Sequence, residues 1–279
     1  MDRRVALTLV VAVFLPLAGC SALPVWDDPG GTPTPDSGTA TPTVTPTPAE
    51  SVPGANPGGE GGDGPEDASY PPGYNASGVS DAGTATAAHV DALLNYPNYL
   101  FTYQSRLETA QGNTSFTYNT IVDNEGEVAY VVRDTSQGAQ AFYYEDDRVY
   151  VRDETGDDTR YNSSDRQYNM EEFSGVQFIG PLLGSVEYND AEVFETDNGT
   201  YYRYTSAEVT DPQAILGTEV DEDRLDRFDV SIVVDSEGAV RAAMFVVEAD
   251  NDVTARMSVG EVGSTTVERP TWFDEADDS

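Results

Sequence analysis

The side chains that could do chemistry are few and lopsided. The chain has 279 residues, with 50 acidic side chains, one histidine (His89) and one cysteine (Cys20). A lone histidine cannot form a His-based metal site, and a cysteine committed elsewhere cannot join it. A Ser-His-Asp triad remains formally open, but no Gly-x-Ser-x-Gly elbow exists to present the serine. Paired acids such as Asp146-Asp147 and Glu171-Glu172 are of the kind that glycoside hydrolysis uses. In so acidic a chain such pairs carry almost no information. Asp221-Glu222-Asp223 and Asp250-Asn251-Asp252 hold oxygen ligands, but neither forms the twelve-residue calcium loop with its distal Glu. There is no phosphate loop and no dinucleotide fingerprint. The residues predict no enzyme, no metal and no cofactor. His89 falls on the apolar face of a predicted helix, as a hydrogen-bonded core residue or as one touching a cavity.

Cys20 has a more specific setting. Arg3-Arg4 is a positive n-region, and an apolar run from Val5 to Ala18 follows, broken by Thr8 and Pro16. The run is shorter than the roughly 20 apolar residues a spanning helix needs, and it reads as a signal peptide over 1–19. Leu17-Ala18-Gly19-Cys20 is a lipobox. It predicts cleavage before Cys20, a lipid on the thiol, and membrane attachment through that lipid. The paired arginines point to twin-arginine export, although residues 2–7 match that motif incompletely. The expected location is the extracellular face of the cell membrane. With a single cysteine, an internal disulfide is excluded.

The formal net charge is −36, and all 14 basic residues are arginine. Nucleic acid is disfavoured as a partner, because its binding needs basic patches that release counterions. An anionic membrane surface is disfavoured on the same ground. Self-repulsion is severe in dilute salt. In molar salt the Debye length falls to roughly 3 Å and most of it is screened. The composition therefore predicts a halophilic protein. Nothing in the sequence names a protein partner.

Residues 20–69 form a tether, Pro-Thr-rich at first and Gly-rich and acidic later. Such composition builds no core; it spans roughly 40 Å as a flexible coil and more where proline stiffens it. A folded domain is predicted over 70–273, followed by a frayed acidic tail, 274–279. It opens with a helix over 81–96, capped at Ser80 or Asp81. Ala82, Ala85, His89, Ala92, Leu93 and Tyr96 share one face, and Pro97 ends the helix. The period then changes to two. Strands are predicted at 101–108, 116–122, 128–132, 141–144 and 148–152, with turns at Asn124-Glu125-Gly126 and Glu145-Asp146-Asp147. The middle is less regular, with a short helix over 165–173, a loop or broken helix over 176–186 and a strand over 200–206. Helical turns are predicted at 211–216 and 221–227. Strands resume at 228–234, 240–248 and 253–262, and Asp235-Ser236-Glu237-Gly238 echoes Asp123-Asn124-Glu125-Gly126. This is an α+β domain: one antiparallel sheet of about eight or nine strands, strongly curved, with its concave side covered by the N-terminal helix and short middle helices.

Four sequons, at Asn75, Asn113, Asn162 and Asn198, fall in predicted turns or loops and are candidate glycosylation sites. Pro71-Pro72-Gly73, Gly78-Val79, Ala88-His89, Phe101-Thr102-Tyr103 and the paired strands ending in Val149-Tyr150-Val151-Arg152 resemble haloarchaeal lipoproteins of unknown function. The resemblance covers about residues 70–263. It is similar, more distantly, to the lipoprotein carrier LolA and the mycobacterial lipoproteins LppX and LprG. Those proteins fold a half-open antiparallel barrel over helices and enclose an apolar cavity for acyl chains.

The resemblance implies a carrier of a lipid or another hydrophobic small molecule. The candidate pocket residues are His89, Leu93, Tyr96, Phe101, Tyr103, Phe116, Tyr118, Tyr130, Phe178 and Leu182. The slim, alanine-rich helix leaves room for an apolar groove of about 300 Å³ or more, with segment 176–186 as its plug or lid. The competing expectation is a non-catalytic structural or interaction module of the cell envelope, whose sheet is filled by its own side chains. An extracellular hydrolase comes last.

Overall fold

The computed structural model describes residues 69–156, 158–217 and 224–279. The leader, the lipobox and the tether lie outside the described residues, as do residues 221–223 of the predicted turn at 221–227. A small hairpin, β1 (Tyr74–Asn75) and β2 (Gly78–Val79), leads into α1 (Ala82–Asn95). Six strands follow in a meander: β3 (Asn98–Thr109), β4 (Gly112–Asp123), β5 (Val128–Thr135), β6 (Gly138–Glu145), β7 (Arg148–Asp153) and β8 (Arg160–Asp165). A 3₁₀ turn at Met170–Phe173 precedes α2 (Val176–Gly184). Then come β9 (Val186–Tyr188), β10 (Glu192–Thr196), β11 (Gly199–Val209), α3 (Pro212–Leu216), β12 (Arg227–Asp235), β13 (Val240–Glu248), β14 (Asp252–Gly260) and α4 (Phe273–Asp277).

The main sheet runs β10-β11-β12-β13-β14-β3-β4-β5-β6-β7-β8, with β9 added against β11. Its pairs are antiparallel, and β14 joins the two meanders by pairing with β3 from Asp252↔Glu108 to Gly260↔Leu100. The sheet has twelve strands rather than eight or nine. It is not closed: β8 and β10 are its ends.

One face of the sheet carries the main core. Tyr99, Phe101, Tyr118, Val122, Ala129, Val131, Tyr144 and Val149 on the first meander join Tyr204, Ile232, Phe245 and Met257 on the second. Ala85, Ala92 and Leu93 of α1, Phe173, and Ile179, Leu182 and Leu183 of α2 belong to the same cluster. The helices therefore sit on this inner face.

Asp81 caps α1, its carboxylate accepting from the Thr84 amide at 2.6 Å. The helix buries Ala88 as well as the predicted Ala85, His89, Ala92 and Leu93. Ala88 is in use because the β12–β13 turn comes very close. Gly238 there has φ +98°, and a Cβ on it would stand 2.8 Å from the Ala88 Cβ.

Segment 176–186 is one helix and then a strand, not a loop. Pro181 inside α2 costs about 3 kcal/mol in a helix interior. Burying Ile179, Leu182 and Leu183 returns roughly 1.5–3 kcal/mol each, which explains why the helix persists. The predicted helix over 165–173 is also corrected. Asp165 ends β8, and only Met170–Phe173 turns helically.

The tail does not fray. Trp272, Phe273 and Ala276 are buried against Ala141, Tyr143 and Tyr150 on the outer face of the sheet. The acidic composition of 274–279 concealed this, because the residues that anchor the segment are two aromatics just before it and one alanine within it.

Candidate ligand-binding face

Strand register sets the rows of the inner face. Tyr103 pairs Tyr118, Tyr118 pairs Arg133, and Arg133 pairs Gln140. One row further from α1, Ser105 pairs Phe116. On the other side of β3, Tyr103 pairs Met257 and Leu107 pairs Val253. Near α1 the rows are closed: Tyr99, Phe101, Val122 and Leu93 are fully buried. Toward the far ends of the strands they open, and Tyr103, Phe116, Phe178 and Phe228 are only partly buried, as is Phe142 at the edge of the Phe101 row.

Phe178 of α2 is the hub of the open end. Its ring stacks on Tyr103 at 4.1 Å between centroids, lies 6.1 Å from Phe101 and 5.4 Å from Tyr118. Tyr103 also meets Phe116 at 5.9 Å. Gly175, at the start of α2, lets the helix come down this close. It has φ +74°, and a Cβ there would meet the Phe101 ring at 2.2 Å. Burial pushes the Tyr103 and Tyr118 phenols above the usual range, so both stay neutral.

A cation completes this wall. The Arg133 guanidinium lies 5.0 Å from the Phe142 ring centroid and 5.6 Å from that of Tyr118. Its sequence signal is legible in retrospect. In Val128–Thr135, Arg133 is in phase with buried Ala129 and Val131, which is a charge on a buried face.

The ten predicted pocket residues separate into groups. Phe101, Tyr103, Phe116, Tyr118 and Phe178 come together, with Leu182 buried in the same cluster. Leu93 is fully buried on the inward side of α1 itself. Tyr96 sits at the opposite end of the sheet, its hydroxyl donating to Asp235 at 2.8 Å. Between the levels of Tyr99 and Ser105 on β3 the strand rises about 20 Å, so Tyr96 and Phe116 do not share one local pocket.

Tyr130 is on the other face. Its ring lies 6.4 Å from Trp272 in the outer cluster. Alternation did not decide this, because Val128–Val132 is apolar on both phases; the C-terminal segment chose Tyr130's side.

His89 is fully buried, and both ring nitrogens are engaged by the main chain. Nδ1 accepts from the Val240 amide at 3.1 Å, so Nε2 carries the proton and donates to the Ser174 carbonyl at 3.0 Å. The ring thus pins α1 to β13 and to the loop before α2, and it has no nitrogen left for a substrate. Burial pushes its pKa down to about 4, against the smaller opposing effects of the Ser174 bond and Asp235.

Elsewhere, a surface cleft of about 390 Å³ is lined by Asp146, Asp147, Arg148, Asp165, Arg166 and Gln167. Its walls are charged, and none of the predicted pocket residues borders it. Among the described residues no cluster of three or more His, Cys, Asp or Glu side chains is placed to hold a metal. Asp250 is ion-paired with Arg224. Among the same residues no helix is long and apolar enough to cross a membrane.

All four sequon asparagines are exposed. Asn162, however, lies within the end strand β8 rather than a loop, Asn113 lies in β4 and Asn75 in β1; Asn198 is in a turn.

No curated protein matches this sequence. Among solved structures, the lipoprotein LppX of Mycobacterium tuberculosis is similar at 9% identity and a TM-score of 0.36, over 67% of this chain and 97% of that one. LprF from Mycobacterium bovis is similar at 11% identity and 0.34, over 67% and 94%. A LolA superfamily protein from Nitrosomonas europaea is similar at 10% identity and 0.25, over 67% and 94%. Likenesses this remote transfer neither a ligand nor a residue role. A family model is the more specific finding: it matches residues 51–276, and the chain belongs to the family of unknown function DUF7537.

Proposed function

We propose that this protein is a lipid-anchored binding protein on the outer surface of a halophile's cell, holding a lipid or another apolar ligand on the inner face of its sheet. One observation carries the reading. Tyr103, Phe116 and Phe178 are only partly buried and meet one another toward one end of that face. Soluble domains rarely leave aromatics together in this way unless something covers them.

The half-open barrel belongs to this reading. Nine strands from β11 to β7 contribute to one core cluster with two short helices. Laid flat they would span about 38 Å, much wider than two helices of about 10 Å each. A curl of the sheet over the helices resolves the mismatch. In the proposed cycle α2 is the plug: Phe178 occupies the aromatic wall when no ligand does. Pro181 removes one of the hydrogen bonds that would hold this helix rigid, and a Cβ on Gly180 or Gly184 would meet no atom within 4 Å.

The lipobox supports lipidation at Cys20, the tether supports distance from the membrane, and the charge supports a salt-rich medium. Organic extraction of the protein purified in high salt, followed by mass spectrometry, tests the ligand. A stoichiometric apolar molecule is expected. Mass analysis of the intact protein reads the anchor, with an acylated Cys20 expected at the mature N-terminus.

A second reading is favoured by the packing near α1, where Gly238 and Gly175 bring elements into contact. There the domain is a self-filled structural or interaction module of the envelope. Repeated extraction without any bound molecule, together with no uptake of added long-chain lipid, would favour that reading.

A further inference from the structure

The inner face presents an apolar wall and one cation within it. We infer that Arg133 receives an oxyanion head group, carboxylate or phosphate, of a ligand whose apolar tail takes the place of Phe178 along Tyr118, Tyr103 and Phe116. This rests on the ligand-binding reading above and names the chemical class of the ligand.

The argument begins with charge. The chain has 50 acidic residues for 14 basic ones. Carboxylates are in surplus, and most of the described arginines are paired with one: Arg106, Arg148, Arg152, Arg166, Arg203, Arg224, Arg227, Arg241 and Arg269. Arg133 is in none of the ion pairs among the described residues. Asp153 of the same inner row and the exposed Glu172 have other partners. Asp153 accepts from Gln140 at 3.1 Å and from the Thr155 amide at 2.8 Å, and Glu172 accepts from Arg166 at 2.7 Å. The Arg133 Nε is buried and makes no hydrogen bond to protein.

A partly desolvated guanidinium is costly without an anion and strongly favourable with one. Its two aromatic contacts offset part of that cost. They also hold the group over the wall, with its remaining N–H donors free to fork onto an oxyanion. The tail then continues along the row that register builds, Arg133, Tyr118, Tyr103, in the place that Phe178 fills here. An anionic amphiphile matches both parts.

The test uses the full-length lipoprotein in its own membranes, in molar salt. Three photo-crosslinking probes share one C16 diazirine chain and differ only in the head: carboxylate, phosphate or primary alcohol. Labelled peptides are mapped by mass spectrometry. The expected result is labelling of β3–β6 or α2, stronger by about tenfold or more for an anionic head than for the alcohol, the size of one charge-assisted hydrogen-bonded contact. The better of the two anionic probes identifies the head. Arg133→Met should remove the preference and leave alcohol labelling unchanged, while Arg133→Lys should keep part of it.

Equal labelling by all three heads, or a preference that survives in Arg133→Met, overturns the inference and leaves the carrier reading intact. Arg133 is then a cation packed on aromatic rings and nothing more. Absence of labelling on the inner face by any probe overturns both.

Discussion

At the scale of the residue, His89 shows how a chemically suggestive side chain becomes a structural one. Its helical phase marked it as inward-facing, and that is where it lies. Sequence could not say that both nitrogens would be taken by backbone groups 85 and 151 residues away. The consequence is a pH dependence. The folded pKa is pushed down to about 4, whereas the unfolded chain keeps a value near 6.5. Above about pH 6.5 both states are neutral and the full stability is present. As pH falls toward 4 the unfolded state binds the proton and the folded state does not, so stability is lost, on the order of 3 kcal/mol from this one group. In His89→Gln the loss between pH 6.5 and 4 should shrink by about that amount, at a cost at neutral pH of roughly 1–3 kcal/mol for the altered bonds. Denaturant melts in high salt across that range measure both. Parallel pH profiles in the two proteins would sink the assignment.

At the scale of the element, the hairpins, the strand over 200–206 and the helical turn at 211–216 were read correctly, whereas the helix over 165–173 and the frayed tail were not. Asp235-Ser236-Glu237-Gly238 repeats the chemistry of the β4–β5 turn. Asp123 accepts from the Gly126 amide at 2.9 Å, and Asp235 accepts from Glu237 and Ala239 at 3.0 Å each. Such turns are local, so their residues declare them. The C-terminal segment is the opposite case. Trp272 and Phe273 lie on the outer face against Tyr130, Tyr143 and Tyr150, with Phe273 4.3 Å from the Tyr150 ring. Residues 273–277 thus close an otherwise wet side of β5–β7. Trp272→Ala should destabilise the full chain by about 3 kcal/mol, as large-to-small changes at buried sites do. Equilibrium unfolding in molar salt measures it, and a change below about 1 kcal/mol would mean that the segment only rests on the surface.

At the scale of the whole molecule, charge dominates. A net charge of −36 repels itself at every distance shorter than the Debye length. Surface pairs such as Arg106–Glu108 are exposed and offset little of this. The chain is therefore expected to lose cooperative folding as salt falls below the molar range. Thermal melts from multimolar salt down to dilute buffer should show a falling midpoint and a broadening transition. A midpoint that stays constant would contradict the halophilic reading, although the core described above would be unaffected.

What the sequence determined by itself was whatever is written in short range: a helix over 81–96 capped at Ser80 or Asp81, the hairpins with their Asp- and Gly-bearing turns, the α+β class, and the lipobox that predicts an anchor. What only the tertiary structure decided depended on contacts between distant segments. β14 closes onto β3, twelve strands join one sheet, and α2 holds together around a proline because its neighbours bury it. The side each aromatic faces was decided in the same way. Where a strand is apolar on both phases, as at Val128–Val132, alternation is silent, and Tyr130 turned outward because Trp272 covers that face. Arg133 is the converse. The phase that put Tyr130 inward put Arg133 outward, and only the assembled wall of Tyr118 and Phe142 shows that this charge faces inward and what it stands on.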